Sequence, residues 1–146
     1  EVAPILTKLG CNGGGCHGKA TGRGGFQLSL FGFDADRDYD SITRGSRGRR
    51  IFPAAPRDSL LLQKAAMQVP HGGGQRLLKG STTYHTLVAW MRDGAPGPVA
   101  DAPVVKKLTV FPRERIAAPG QTQQLRVLAE YSDGTRRPTR EMHTSS

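Results

Sequence analysis

Apolar positions in this chain fall into short periodic runs separated by glycine-rich gaps. Val2, Ile5, Leu6 and Leu9 recur at helical spacing, with Pro4 in the first turn, where its missing N–H costs little. Gly10 is expected to end that helix. Phe26, Leu28 and Leu30 alternate with Gln27 and Ser29, the pattern of a short strand. Tyr39 and Ile42 belong to a short helix capped by Asp34 or Asp36. The stiff turn Pro53-Ala54-Ala55-Pro56 delivers a third helix, capped by Asp58 or Ser59. Leu60, Leu61, Lys64, Ala65 and Met67 form its amphipathic face, with Met67 turned inward, and Pro70 stops it. Ser81 opens the last helix, with Tyr84, Leu87, Val88 and Met91 on one face, and Asp93-Gly94 closes it.

Beyond Val104 the period changes. Val105, Leu108, Val110 and Phe111, then residues 124–131, read as strands, and Ser132-Asp133-Gly134-Thr135 reads as a hairpin turn. A chain of 146 residues has room for one small domain and part of another. The expected organisation is a domain over residues 1–99, a linker at 100–103 and a β segment over 104–146.

Composition changes the picture in two respects. With 36% hydrophobic residues, nineteen glycines and ten prolines, long loops are expected and the core is lean. No apolar run is long enough to cross a bilayer, and the lack of an initiator methionine or signal peptide suggests a processed or excised piece. The net charge of +9 is spread over both parts: thirteen basic against seven acidic residues up to position 100, and eight against five after it. Nucleic acid would suit that balance, but aromatic residues are only 6% and no reader motif occurs, so none is expected. The cluster Arg44, Arg47, Arg49 and Arg50 could touch phosphates, neutralise cofactor carboxylates or face an acidic protein. Asp34, Asp36, Asp38 and Asp40 superficially suggest a calcium loop, but the required glycine and terminal glutamate are missing.

The most specific stretch is Cys11-Asn12-Gly13-Gly14-Gly15-Cys16-His17. Two cysteines followed at once by a histidine is the order used to attach haem c, in which each thiol adds to a porphyrin vinyl group and the imidazole binds iron. Four residues separate these cysteines where two are usual. Three of the four are glycine, so the loop can bulge and still present both sulfurs on one side. The expectation is one covalent haem c per chain, held by Cys11 and Cys16, with His17 as the proximal ligand. Phe31 and Phe33 would widen the apolar face enough to cover one edge of the ring. Haem c attachment takes place outside the cytoplasm, so a periplasmic or otherwise exported protein is expected. Alternatives are a disulfide, or zinc held by Cys11, Cys16, His17 and one further histidine, although that spacing is unlike ordinary zinc fingers.

An electron carrier needs a second axial ligand. His71 follows Pro70 and precedes Gly72-Gly73-Gly74, which would let the backbone approach the ring. It is the expected distal ligand, with Met67 as the alternative and an open or water-bound face as a third case. His85 and His143 are further candidates, the first turned partly outward and the second in the tail.

These residues resemble the planctomycete-type cytochrome c domains. The resemblance rests on the leading helix, the Cys-His loop, the Phe26 to Leu30 segment, Ser59-Leu60-Leu61-Leu62, and the closing run from Leu87 to Pro96. It covers roughly residues 1–97 and implies a mainly α, small class I-like cytochrome c fold with a short strand and long loops. It also implies electron transfer, with His17 proximal and Cys11 and Cys16 as thioether anchors; no paired carboxylates or nucleophile-and-base arrangement stands out, so catalysis is not expected. Many relatives have Met-Pro-Pro where this chain has Val69-Pro70-His71, a departure that favours His71. The tail resembles the opening strands of a bacterial immunoglobulin-like domain of the group 2 type, and so implies a partial β segment. Such a sandwich needs about seven strands, so the tail is expected to pack on the first domain or pair with another chain.

The leading expectation is therefore a monohaem electron-transfer module of a larger exported protein, serving an acidic redox partner. The alternatives are a haem sensor or gas-binding module with a displaceable sixth ligand, and a zinc- or disulfide-held interaction domain.

Overall fold

A computed structural model describes residues 2–114, 116, 118–138 and 142–144, the last three by backbone alone. The chain divides into two compact units, Glu1–Pro98 and Val99–Ser146. Four helices form the first: α1 (Val2–Lys8), α2 (Ala35–Thr43), α3 (Leu60–Ala65) and α4 (Thr82–Arg92). Leu30–Gly32 and Pro56–Asp58 are single 3-10 turns.

Local chemistry sets the helix ends. Gly10 adopts a φ of +70°, which turns the chain out of α1. The Asp34 carboxylate accepts the Arg37 N–H at 3.0 Å and so caps α2. The Ser81 hydroxyl accepts the Tyr84 N–H at 3.2 Å and caps α4, and Gly94 closes that helix with a φ of +84°. Ser59 precedes α3 but makes no side-chain cap. Its buried hydroxyl instead accepts the Phe52 N–H and donates to the Met91 sulfur.

The core lies between α3, α4 and the loop before α4, where Leu62, Leu77, Tyr84, Leu87, Val88 and Met91 are buried together. Leu6, Leu28 and Ile42 form a second cluster. Val2, Ile51, Leu61 and Trp90 pack against both, which makes the two continuous. The Trp90 indole donates to the Pro96 carbonyl and the Tyr39 hydroxyl to that of Ala95, tying down the end of the unit.

The second unit is an antiparallel sheet of β1 (Val105–Phe111), β2 (Gln123–Tyr131), β3 (Arg136–Pro138) and β4 (Met142–Thr144). β2 pairs with each of the other three strands. The turn after β2 is closed by the Tyr131 N–H donating to the Thr135 carbonyl and by Asp133 accepting from Thr135.

Two expectations are corrected. The chain is not mainly α or class I-like: it holds 29% helix and 16% strand, an α/β mixture. Gly10 and Gly94 close α1 and α4, the longest helix among the described residues has 11 residues, and the second unit is built on strands. The strand expected from Phe26 to Leu30 also does not form. A strand needs a neighbouring strand to take its hydrogen bonds, and these bonds go elsewhere. The Leu28 N–H donates to the His17 carbonyl, Ser29 donates to the buried Asp38 carboxylate, and only an isolated bridge joins Arg23 and Phe26.

Candidate haem site

The Cys11–His17 loop is fixed at both ends. The Cys11 N–H donates to the Leu6 carbonyl at 2.9 Å, so the first sulfur leaves directly from the end of α1. The His17 N–H returns to the Cys11 carbonyl at 3.0 Å, which folds the three glycines into a bulge. Asn12, inside the loop, is buried at 1% exposure. Its side-chain amide donates to the Thr7 hydroxyl at 2.8 Å, and its backbone carbonyl accepts the Phe31 N–H, while its Oδ1 is buried without a hydrogen-bond partner. Gly18 must be glycine, because a Cβ there would lie 1.9 Å from the Asn12 carbonyl oxygen.

Cys11, Cys16 and His17 line a cavity of about 410 Å³, within the common range of roughly 300–1,000 Å³ for cofactor sites. Phe26, Leu60 and Leu61 supply apolar wall, the two leucines from α3. Both thiols are half-buried and not bonded to each other. Burial raises the Cys11 thiol above its ordinary value, the neighbouring Cys16 adds to this, and Arg76 opposes it.

His71 enters the same cavity. Its ring lies 6.3 Å from that of His17, centroid to centroid, with the planes 11° from parallel. The two rings are stacked. An imidazole nitrogen binds a divalent metal at about 2 Å, and His17 and His71, both on this cavity wall, are the residues that would hold a haem iron there. The His17 Nδ1 lies 3.0 Å from the Phe26 carbonyl oxygen, and that of His71 lies 2.8 Å from the Gly74 carbonyl oxygen. A carbonyl only accepts, so each Nδ1 carries its proton, and in the neutral ring Nε2 keeps the lone pair a metal needs. Burial lowers the His17 pKa. The Phe26 carbonyl opposes this, while His71 and Arg50 reinforce it, so the neutral form is favoured. Gly73 leaves room for the His71 ring, since a Cβ there would come within 2.9 Å of the imidazole Cε1 and shift it.

The other distal candidates lie elsewhere. α3 ends at Ala65, so Met67 falls beyond the helix, with a φ of +58° and 48% exposure, and does not line the cavity. The inward orientation expected for it is corrected accordingly. His85 is exposed on α4, edge-on to Tyr84, and the His143 side chain lies outside the described residues. Phe31 and Phe33, expected to cover the ring edge, are 66% and 75% exposed and do not line the cavity. Among the described residues, no three His, Cys, Asp or Glu side chains come together to hold a metal ion by themselves.

The cavity wall carries Arg23, Arg49, Arg50, Lys64 and Arg76 and, among the described residues, no acid. The arginine cluster seen in sequence is thus divided: Arg49 and Arg50 reach the cavity, whereas Arg44 pairs with Asp40 at 2.7 Å on the surface. Arg23 and Arg76 carry no sequence signal, while Lys64 could have been found from its place one turn beyond Leu60 and Leu61. Arg50 is buried at 5% exposure, donates to the Ser41 and Gly25 carbonyls and the Ser46 hydroxyl, and lies 4.6 Å over the Phe26 ring. Phe26 packs in turn against His17, with ring centroids 4.6 Å apart.

Comparison with known proteins finds no matching family model, curated protein or solved structure.

Proposed function

We propose that the first unit is a monohaem c electron-transfer module, with Cys11 and Cys16 as covalent anchors and His17 and His71 as the axial pair. The carrying observation is the pair of near-parallel imidazoles in a cavity whose wall also holds both thiols. The resemblance of the Cys-His loop and the closing α4 region to planctomycete-type cytochrome c domains adds support.

When bound, haem c supplies a one-electron iron couple. The chain's own contribution is positional. Carbonyls of Phe26 and Gly74 orient the two imidazoles, and Phe26, Leu60 and Leu61 restrict water. Two imidazoles favour ferric iron more than a histidine–methionine pair does, so a comparatively low potential follows. The five cations around the cavity suit two propionates and an acidic redox partner. Haem c attachment implies export to the periplasm or an equivalent compartment. In the second unit, Val105, Leu108, Val110 and Phe111 are 41–59% exposed, which favours pairing of the tail with another chain. Among the described residues, no helix is long and apolar enough to cross a membrane.

A second reading, a gas-binding module with His71 as a displaceable ligand, draws on the three glycines that follow His71. Absorption spectra of the matured protein test both. A sharp reduced α-band, no far-red thioether band in the ferric form and slow response to carbon monoxide support electron transfer. A rapid carbon monoxide response favours the second reading, and a colourless matured protein contradicts both.

A further inference from the structure

A second cavity, of about 340 Å³, shares no lining residue with the first. Its wall includes Arg57 and Asp58 from the turn before α3, Gln63 on α3, Gln68 just beyond it, Lys79, and Tyr84 on α4. Tyr84 is fully buried at 0% exposure, and its hydroxyl has no hydrogen-bond partner. A buried hydroxyl is costly unless something accepts its proton, and Tyr84 lines a polar cavity where an acceptor could sit. Neither ion pair found among the described residues uses Arg57, Asp58 or Lys79.

We propose that this cavity binds inorganic phosphate as its singly protonated dianion. Arg57 and Lys79 supply positive charge, the Tyr84 hydroxyl donates to one oxygen, and the Gln63 and Gln68 amides offer further donors. Asp58, the single acid in the lining, fixes the choice of anion. Its carboxylate accepts a hydrogen bond from a P–OH group but repels sulfate, which has no proton to give near neutral pH. Val69 also lines the cavity and stands two residues before His71, so occupancy would steady the approach to that imidazole. The site itself does not depend on the haem reading.

Thermal unfolding of the full matured chain in phosphate-free buffer tests the proposal. Inorganic phosphate is the titrant, and the controls are sulfate and glycerol phosphate, whose monoester group is mostly proton-free near neutral pH. Near saturation, phosphate is expected to raise the midpoint by at least about 5 °C, with each control giving less than half of that. A shift with glycerol phosphate as large as that with phosphate would overturn the role of the P–OH group. Lys79→Gln, an exposed position, and Tyr84→Phe should each lose at least half of the shift while folding normally without phosphate. An equal response to sulfate, an unchanged shift in Lys79→Gln, or no shift up to about 10 mM phosphate would overturn it.

Discussion

The imidazoles of His17 and His71 stand 6.3 Å apart, centre to centre, with planes 11° from parallel. Each is held by its Nδ1 against a backbone carbonyl. The two rings come from different loops, and Pro70 and Gly73 shape the approach of the second. On the proposed haem reading, replacing His71 would remove one iron ligand and leave attachment through Cys11 and Cys16 intact. In His71→Ala, covalent haem is retained and the reduced form binds carbon monoxide rapidly, while the native protein responds slowly. His71→Met is expected to add a far-red thioether band and raise the midpoint potential. Carbon monoxide binding equally fast in native protein and His71→Ala would refute the axial pair.

Gly18 and Gly15 sit close together in sequence but face opposite constraints. A Cβ at Gly18 would lie 1.9 Å from the Asn12 carbonyl oxygen, whereas nothing lies within 4 Å of one at Gly15. Gly18→Ala should destabilise the protein by at least about 3 kcal/mol and lower the covalent haem yield. Gly15→Ala should stay within about 0.5 kcal/mol of the parent. Chemical denaturation and the intact-mass ratio of haem-bearing to bare chain measure both.

Burial lowers the His17 pKa and the charge of Arg50 adds to this; Arg50 also packs over Phe26, the neighbour of His17. Its guanidinium lies over the Phe26 ring, while the Phe26 carbonyl orients the imidazole. Arg50→Gln removes a buried positive charge, and the midpoint potential should fall by on the order of 50 mV. Arg50→Lys should keep most of the potential but lose stability, since an ammonium cannot reproduce the fork to Ser41, Gly25 and Ser46. Potentiometry and thermal unfolding separate the two effects. Equal potentials in all three proteins would remove Arg50 from the tuning of the site.

The haem-free chain has its own signature at Cys11. Burial, with help from Cys16, raises that thiol, so the folded state holds its proton more tightly than the unfolded state. Stability attributable to this group is full below the unfolded thiol pKa and is lost as pH rises through the folded value. Cys11 in the native haem-free protein should react with iodoacetamide more slowly than in denaturant at the same pH. Equal rates, read by peptide mass mapping, would contradict its burial.

Local signals carried the helices well. Gly10, Asp34, Ser81 and Gly94 mark their ends because caps and left-handed turns are decided by neighbouring residues. The Phe26 to Leu30 alternation misled because it records burial and not pairing: Leu28 is buried, yet its N–H goes to the His17 carbonyl. Met67 misled because nothing in its spacing reveals that α3 stops at Ala65. The sequence marks Arg50 and Lys64 locally, but the arrival of Arg23 and Arg76 at the same cavity is a tertiary fact with no local pattern. The fold class was misjudged for a related reason, since short helices divided by glycine and proline do not add up to a mainly α chain.

The most direct test is the intact mass of the chain after export through a haem c maturation system, measured under denaturing conditions that remove any non-covalent group. The expected result is the polypeptide mass plus one haem, with fragments locating the addition at Cys11 and Cys16. A matured sample showing only the bare polypeptide mass would contradict it.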